Sequence, residues 1–211
     1  MRIEDIVSNV NVYGLDESIK RAKYPMSADV SRLNNELTSG IKNLGSSPRG
    51  AGHDQFLTGI IVQFDLTLTT KAWVEAERYH FLDFVSSQST MHRITRFDLD
   101  KSYVEFVDKR VVDIMKQLVK EYNNLVAAEA MSFVPQDVET TNKIAEEKRD
   151  KYLRILYTNP CGFRLTAGIT TNYRQLKTIY SQRKDHRLPE WRLVCKWIES
   201  LPRFKEICLG E

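Results

Sequence analysis

No apolar run in this chain approaches the ~20 residues that a helix needs to cross a bilayer. Its opening residues, Met1-Arg2-Ile3-Glu4-Asp5, do not read as a signal peptide. Cysteine is scarce as well. Cys161, Cys195 and Cys208 match no metal-ligand spacing, and three is an odd number, so neither a metal site nor a closed disulfide framework is supported. Free thiols in a reducing cytoplasm are the expectation. An excess of one charge is also missing. The 31 Lys and Arg stand against 28 Asp and Glu, and the formal net charge of +3 gives no argument for nucleic acid by itself. There is no internal repeat and no linker-like stretch. What is present is a 211-residue chain of ordinary composition, long enough for a full core and expected to form one α+β domain over residues 1–211.

Ile6 to Tyr13 is rich in β-branched residues and reads as a strand ended by Gly14. Leu15 to Tyr24 reads as a short helix capped near Asp16 and stopped by Pro25. Residues 40–52 hold four glycines with Ser46-Ser47-Pro48 and read as a loop. A long strand is expected over Phe56 to Thr67, then a helix over Thr70 to Tyr79 with Trp73 and Ala76 inward, then a polar segment from Ser86 to Thr90. Helical spacing runs over Val104 to Met131 and Thr141 to Tyr157, interrupted by Ser132-Phe133-Val134-Pro135-Gln136. The mixed charges of Glu146 to Lys151 make a solvated helix face. Asn159-Pro160-Cys161-Gly162 signals a turn, and Glu190 to Leu201 is the last helix expected. Trp73, Trp191 and Trp197 lie on apolar helical faces and read as core.

The most informative block is Thr170-Thr171-Asn172-Tyr173-Arg174-Gln175-Leu176 with Arg183-Lys184-Asp185-His186 after it. It follows the strand-like alternation of Phe163 to Ile169 and opens a helix. Asn172 falls at the N-cap, where its side chain can hold free backbone N–H groups. Arg174 then lies in the first turn, a poor place for a cation on helix-dipole grounds unless an anion faces it. The other reading is a capped amphipathic helix with a solvated basic face.

These residues resemble the C-terminal signature of the flavin-dependent thymidylate synthases, the ThyX family. The resemblance runs through four blocks in the family's order. Ser47-Pro48 with His53 is similar to a Pro-x-Glu-His stretch, with Gly and Ala added and the Glu gone. Tyr79-His80-Phe81 running to Ser86-Ser87-Gln88-Ser89 is similar to Arg-His-Arg-x-x-Ser-x-Asn-x-x-Ser-x-Arg. His80 and Ser89 match, both flanking arginines are missing, and Met91 replaces the last one. Leu153-Arg154-Ile155-Leu156 before Pro160 is similar to Ala-Arg-x-x-Leu-Pro. Asn172-Tyr173-Arg174, Arg183-Lys184-Asp185-His186 and Glu190-Trp191-Arg192 complete the series.

The resemblance implies a ThyX-like α+β domain, a mixed or antiparallel sheet with long helices, assembled as a homotetramer with shared active sites. It implies FAD as cofactor, NADPH and methylenetetrahydrofolate as co-substrates, and transfer of a one-carbon unit to C5 of dUMP. The cofactor carries the difficult chemistry and the protein positions and polarises. By the same resemblance Arg183 contacts the pyrimidine and stabilises negative charge on the base. Ser89, Arg154 and Gln88 bind the substrate and its phosphate. Asn172, Arg174, His53, His80 and His186 contact flavin. Uracil or cytosine as the base, and methyl or hydroxymethyl as the product, stay open. Each residue also has a plainer reading, as surface arginine, helix cap or structural histidine.

Two further readings remain. Loss of the motif arginines fits a non-catalytic homologue that only binds nucleotide. A basic stripe of Arg174, Lys177, Arg183, Lys184, Arg187 and Arg192 is the argument for nucleic acid, opposed by the small net charge. Pro160-Cys161 is similar to the nucleophile of the unrelated cysteine-dependent thymidylate synthases, but nothing else of that pattern is present, so a buried structural thiol is expected.

Overall fold

The computed structural model describes residues 1–131 and 137–211. The interruption expected at Ser132 to Gln136 lies outside the described residues. In chain order the elements are β1 (Val7–Tyr13), α1 (Leu15–Arg21), α2 (Ser39–Ser46), β2 (Ile61–Thr69), α3 (Thr70–Ala76), β3 (Asp83–Ser87) and the single turns α4 (Thr90–Arg93) and α5 (Leu99–Ser102). Then come the long helices α6 (Lys109–Met131) and α7 (Val138–Thr158), β4 (Arg164–Asn172), α8 (Tyr173–Arg183), α9 (Pro189–Glu199) and a closing π-helical turn, Lys205–Leu209.

The chain forms two compact units. The first comprises Met1–Leu68, Ala72–Ser87 and Thr166–Glu211. Its sheet has the order β1-β2-β4-β3. β1 pairs antiparallel with β2, and β3 with β4. Contacts from Gln63 to Thr170 and from Thr67 to Thr166 run in opposite senses along β2 and β4, so this pair is antiparallel too. In β2, Val62, Phe64, Leu66 and Leu68 are buried on one face, the period of two that a half-covered strand needs. Trp197 of α9 covers that core at 4.5 Å from the Phe64 ring, and Tyr173 and Phe204 pack edge-on at 5.3 Å. The closing turn lies so near α2 that a Cβ on Gly45 would collide with the Ile207 carbonyl, so only glycine fits there.

The second unit comprises Thr69–Lys71 and Gln88–Leu165. Its core gathers Ile94, Leu99, Tyr103, Met115, Val119, Ile155 and Phe163. The Tyr122 and Tyr152 rings, 5.1 Å apart, join α6 to α7. Asp137 caps α7 by accepting the Thr140 N–H at 2.7 Å.

Several elements differ from the sequence reading, each for a local reason. Helix α1 is entered from Gly14 at φ 73°, not from Asp16, and ends at Arg21. Residues 40–52 begin as helix, because Thr38 accepts the Ile41 N–H and starts α2 despite the glycines. A 3-10 turn over Gln55–Gly59 delays β2 to Ile61. α6 starts at Lys109 because Tyr103 bridges Phe163, the Val104 N–H donates to the Gly162 carbonyl, and Asp108 then accepts the Arg110 N–H at 2.9 Å. The polar segment expected from Ser86 to Thr90 is entered through β3, which ends at Ser87 and whose five residues are all exposed, leaving no alternation to read. Cys161, expected buried, is exposed in its turn, whereas Cys195 and Cys208 are buried.

Candidate functional site

β4 ends where Asn172 takes an extended conformation and caps α8, its Oδ1 accepting the Gln175 N–H at 2.9 Å. Arg174 and Lys177 sit three residues apart on one face of α8, so their side chains converge. They meet Asp54, whose side chain is 4% exposed: Arg174 Nε lies 3.0 Å from Oδ1 and Lys177 Nζ 3.0 Å from Oδ2. Arg174 Nη1 also donates to Gln55 Oε1 at 2.9 Å. Lys177 Nζ donates to the Gly45 and Ser47 carbonyls, both at 2.6 Å, and so fastens the end of α2 to α8. A carboxylate this buried requires such partners, because an uncompensated charge there is strongly destabilising.

This ion triad forms part of the wall of a cavity of about 670 Å³ within the first unit. Its charged lining is Arg49, Arg174 and Lys177 against Asp54 alone, so the cavity is net positive and stands at a helix N-terminus. Asn172, Thr178 and Ser181 add polar groups, and Phe81, 62% exposed, presents an aromatic surface. Asn172 Nδ2, Arg174 Nη2 and the Arg49 guanidinium make no hydrogen bond among the described residues.

Arg183 stands elsewhere in the same unit. Its Nη1 lies 2.9 Å from Glu75 Oε2, and its Nε donates to the Tyr79 hydroxyl at 2.7 Å. The guanidinium lies over the Trp191 and Tyr79 rings, 5.1 and 5.6 Å from their centroids. His186 Nε2 is 3.3 Å from the same Glu75 oxygen, and its Nδ1 accepts the Leu188 N–H at 3.2 Å.

Of the residues expected from sequence, Asn172 and Arg174 come together on the cavity, and Arg183 and His186 come together around Glu75. His53 is exposed in the turn before Asp54, and His80 is exposed one residue before Phe81. Gln88, Ser89 and Arg154 belong to the second unit: Gln88 and Arg154 are exposed, and Ser89 holds the N-cap position of α4. The anion that the first-turn Arg174 called for is supplied by the chain itself, as Asp54. Asp54, Phe81 and Glu75 were not identified from sequence as site residues. The available signal was two cations on one helix face beside apolar neighbours, which requires a carboxylate from somewhere. The basic stripe is also largely committed: Arg174 and Lys177 to Asp54, Arg183 to Glu75, and Arg192 to the His186 and Arg187 carbonyls. Among the described residues no group of three or more His, Cys, Asp or Glu could hold a metal ion, and no helix is long and apolar enough to cross a membrane.

The architecture is that of the flavin-dependent thymidylate synthases. One similar solved structure is ThyX of Helicobacter pylori complexed with FAD and dUMP, with a TM-score of 0.63 at 13% identity, covering 95% of this chain and all of that one. A second structure of the Helicobacter pylori enzyme with FAD and dUMP gives 0.63 at 12% identity, over 93% of this chain and 94% of that one. At this identity the likeness establishes the fold. No protein-family model and no curated protein matches the sequence.

Proposed function

We propose that this chain is a flavoenzyme of the ThyX type, binding FAD at the cavity beside α8 and acting on a pyrimidine deoxynucleotide, dUMP by default. The observation that carries this is the pairing of a net-positive cavity at the α8 N-terminus with free donors from Asn172, Arg174 and Arg49 and an exposed aromatic face at Phe81. That donor set fits FAD: guanidinium groups and a helix N-terminus suit a diphosphate, and Phe81 suits a planar ring. When bound, FAD supplies the electron and one-carbon transfer between methylenetetrahydrofolate, NADPH and the base. The protein's part is positioning. Asn172 and Arg174 orient the cofactor, with His53, His80 and His186 assigned to the flavin surroundings. Arg183 meets the base, and Gln88, Ser89 and Arg154 take the substrate phosphate. We carry over a single ThyX-like domain spanning both units, a homotetramer and a cytoplasmic location with this reading.

A second reading has its own observation. Both signature arginines are engaged internally, Arg174 by Asp54 and Arg183 by Glu75, as in a homologue that binds nucleotide without turning it over. dUMP-dependent NADPH oxidation by FAD-loaded protein with methylenetetrahydrofolate separates the two. Turnover supports the enzyme; tight FAD and dUMP binding without oxidation supports the binding protein.

A further inference from the structure

We infer that Glu75 is a positioning residue that sets the orientation of Arg183 toward a pyrimidine nucleotide; this rests on the ThyX-type reading of the site. Glu75 lies near the end of α3, and its Oε2 collects three groups from the α8–α9 region: Arg183 Nη1 at 2.9 Å, Trp191 Nε1 at 3.2 Å and His186 Nε2 at 3.3 Å. Arg183 Nη1 and His186 Nε2 are also within hydrogen-bond distance of each other, 2.8 Å, so the two groups and the carboxylate form one cluster. A second anchor is the Tyr79 hydroxyl, which accepts from Arg183 Nε and donates to Gln182 Oε1 at 3.1 Å. The Trp191 and Tyr79 rings then restrict the guanidinium plane.

The result is an arginine only 12% exposed with two of its three nitrogens fixed. Nη2 makes no hydrogen bond among the described residues. An arginine serving only as a structural tie would be expected to spend its whole fork, since a bidentate pair with a carboxylate is the stronger arrangement. Here the carboxylate takes one edge through a single oxygen, and one donor is held at a defined angle for an incoming acceptor. A carbonyl oxygen of a pyrimidine ring is an acceptor of that kind, and fixing its donor in advance removes the ordering cost from the binding step.

The test compares wild-type protein with Glu75→Ala and Glu75→Gln, each loaded with FAD and titrated with dUMP by calorimetry, with FAD affinity measured separately. Glu75→Ala is expected to weaken dUMP binding about tenfold while FAD affinity changes less than about threefold. Glu75→Gln, whose amide oxygen can still accept from Nη1, is expected to recover most of the loss. If Glu75→Ala does not fold, Glu75→Asp replaces it, because the shorter side chain withdraws the oxygen from Arg183 and is expected to weaken dUMP several-fold. Equal dUMP affinity in wild type and the Ala or Asp variant overturns the positioning role and leaves the flavin reading standing. Equal loss in the Gln and Ala variants also overturns it. A wild-type protein that takes up neither FAD nor dUMP overturns both.

Discussion

Arg174 and Asp54 are joined at 3.0 Å although they lie 120 residues apart in sequence, and the carboxylate simultaneously holds Lys177. This one buried acid gathers the turn before β2, the end of α2 and the first turns of α8 into the cavity wall. Removing it leaves the Lys177 ammonium, on a side chain 14% exposed, with the Gly45 and Ser47 carbonyls but no counter-charge. Asp54→Ala is therefore expected to lower the unfolding free energy by about 3–5 kcal/mol, the range for breaking a buried ion pair on one side. Urea denaturation measures it, and a loss under ~1 kcal/mol would show that the triad is not a fastening point.

Asn172 has two separable tasks. Its Oδ1 caps α8, while in the proposed reading its Nδ2 donates to FAD. Asn172→Ala is expected to cost about 1 kcal/mol of stability. Asn172→Asp keeps the capping oxygen and removes the Nδ2 donor, so stability should hold while FAD affinity falls. Paired melting curves and flavin titrations on the two variants check this. Equal FAD affinity in wild type and Asn172→Asp would leave the residue a cap and nothing more.

Alkaline pH should erode the fold through groups that stay protonated when folded. The Tyr180 hydroxyl donates to Glu199 at 2.6 Å, and this bond, with burial, pushes its pKa up from 10.0 to about 12. Burial pushes the Cys195 thiol from 9.0 to about 12. A raised folded-state pKa contributes stability below the unfolded value and loses it as pH rises through the folded value. Stability is thus expected to decline from pH ~9 for the thiol and pH ~10 for the phenol, reaching the end of both contributions near pH 12. In Tyr180→Phe the slope above pH 10 should be shallower, read from denaturation midpoints across the series. An unchanged slope in that variant would show that Tyr180 does not contribute.

The three thiols should differ in reactivity. Cys161 is exposed, whereas Cys195 and Cys208 are buried, with burial raising both thiol pKa values. Native protein is expected to release one equivalent of chromophore quickly with an aromatic disulfide reagent, and the rest only on unfolding. Fast labelling of all three would contradict the packing of α9 and the closing turn.

The sequence carried the elements whose cause is local. The Asn172 cap and the apolar faces of α7 and α9 were readable, since a cap reaches three residues and a helical face repeats within two turns. The α+β class followed from the strand and helix patterns along the chain, and the ThyX-like fold from the ordered motif blocks together, not from any one of them. What could not be read depends on partners distant in sequence. β3 has no buried face, so only its pairing with β4 defines it. Arg174 signalled an anion, but no spacing points to Asp54. Arg183 was expected from the resemblance to contact a pyrimidine, and its commitment to Glu75 exists only once α3 and α8 are packed together.

The most direct test is a titration of folded protein with FAD, followed by flavin absorbance and repeated with Arg174→Ala. The expected result is saturable uptake that gives a yellow protein reducible by dithionite, weakened about tenfold or more in the variant. Folded wild-type protein that stays colourless at saturating FAD would contradict the central claim.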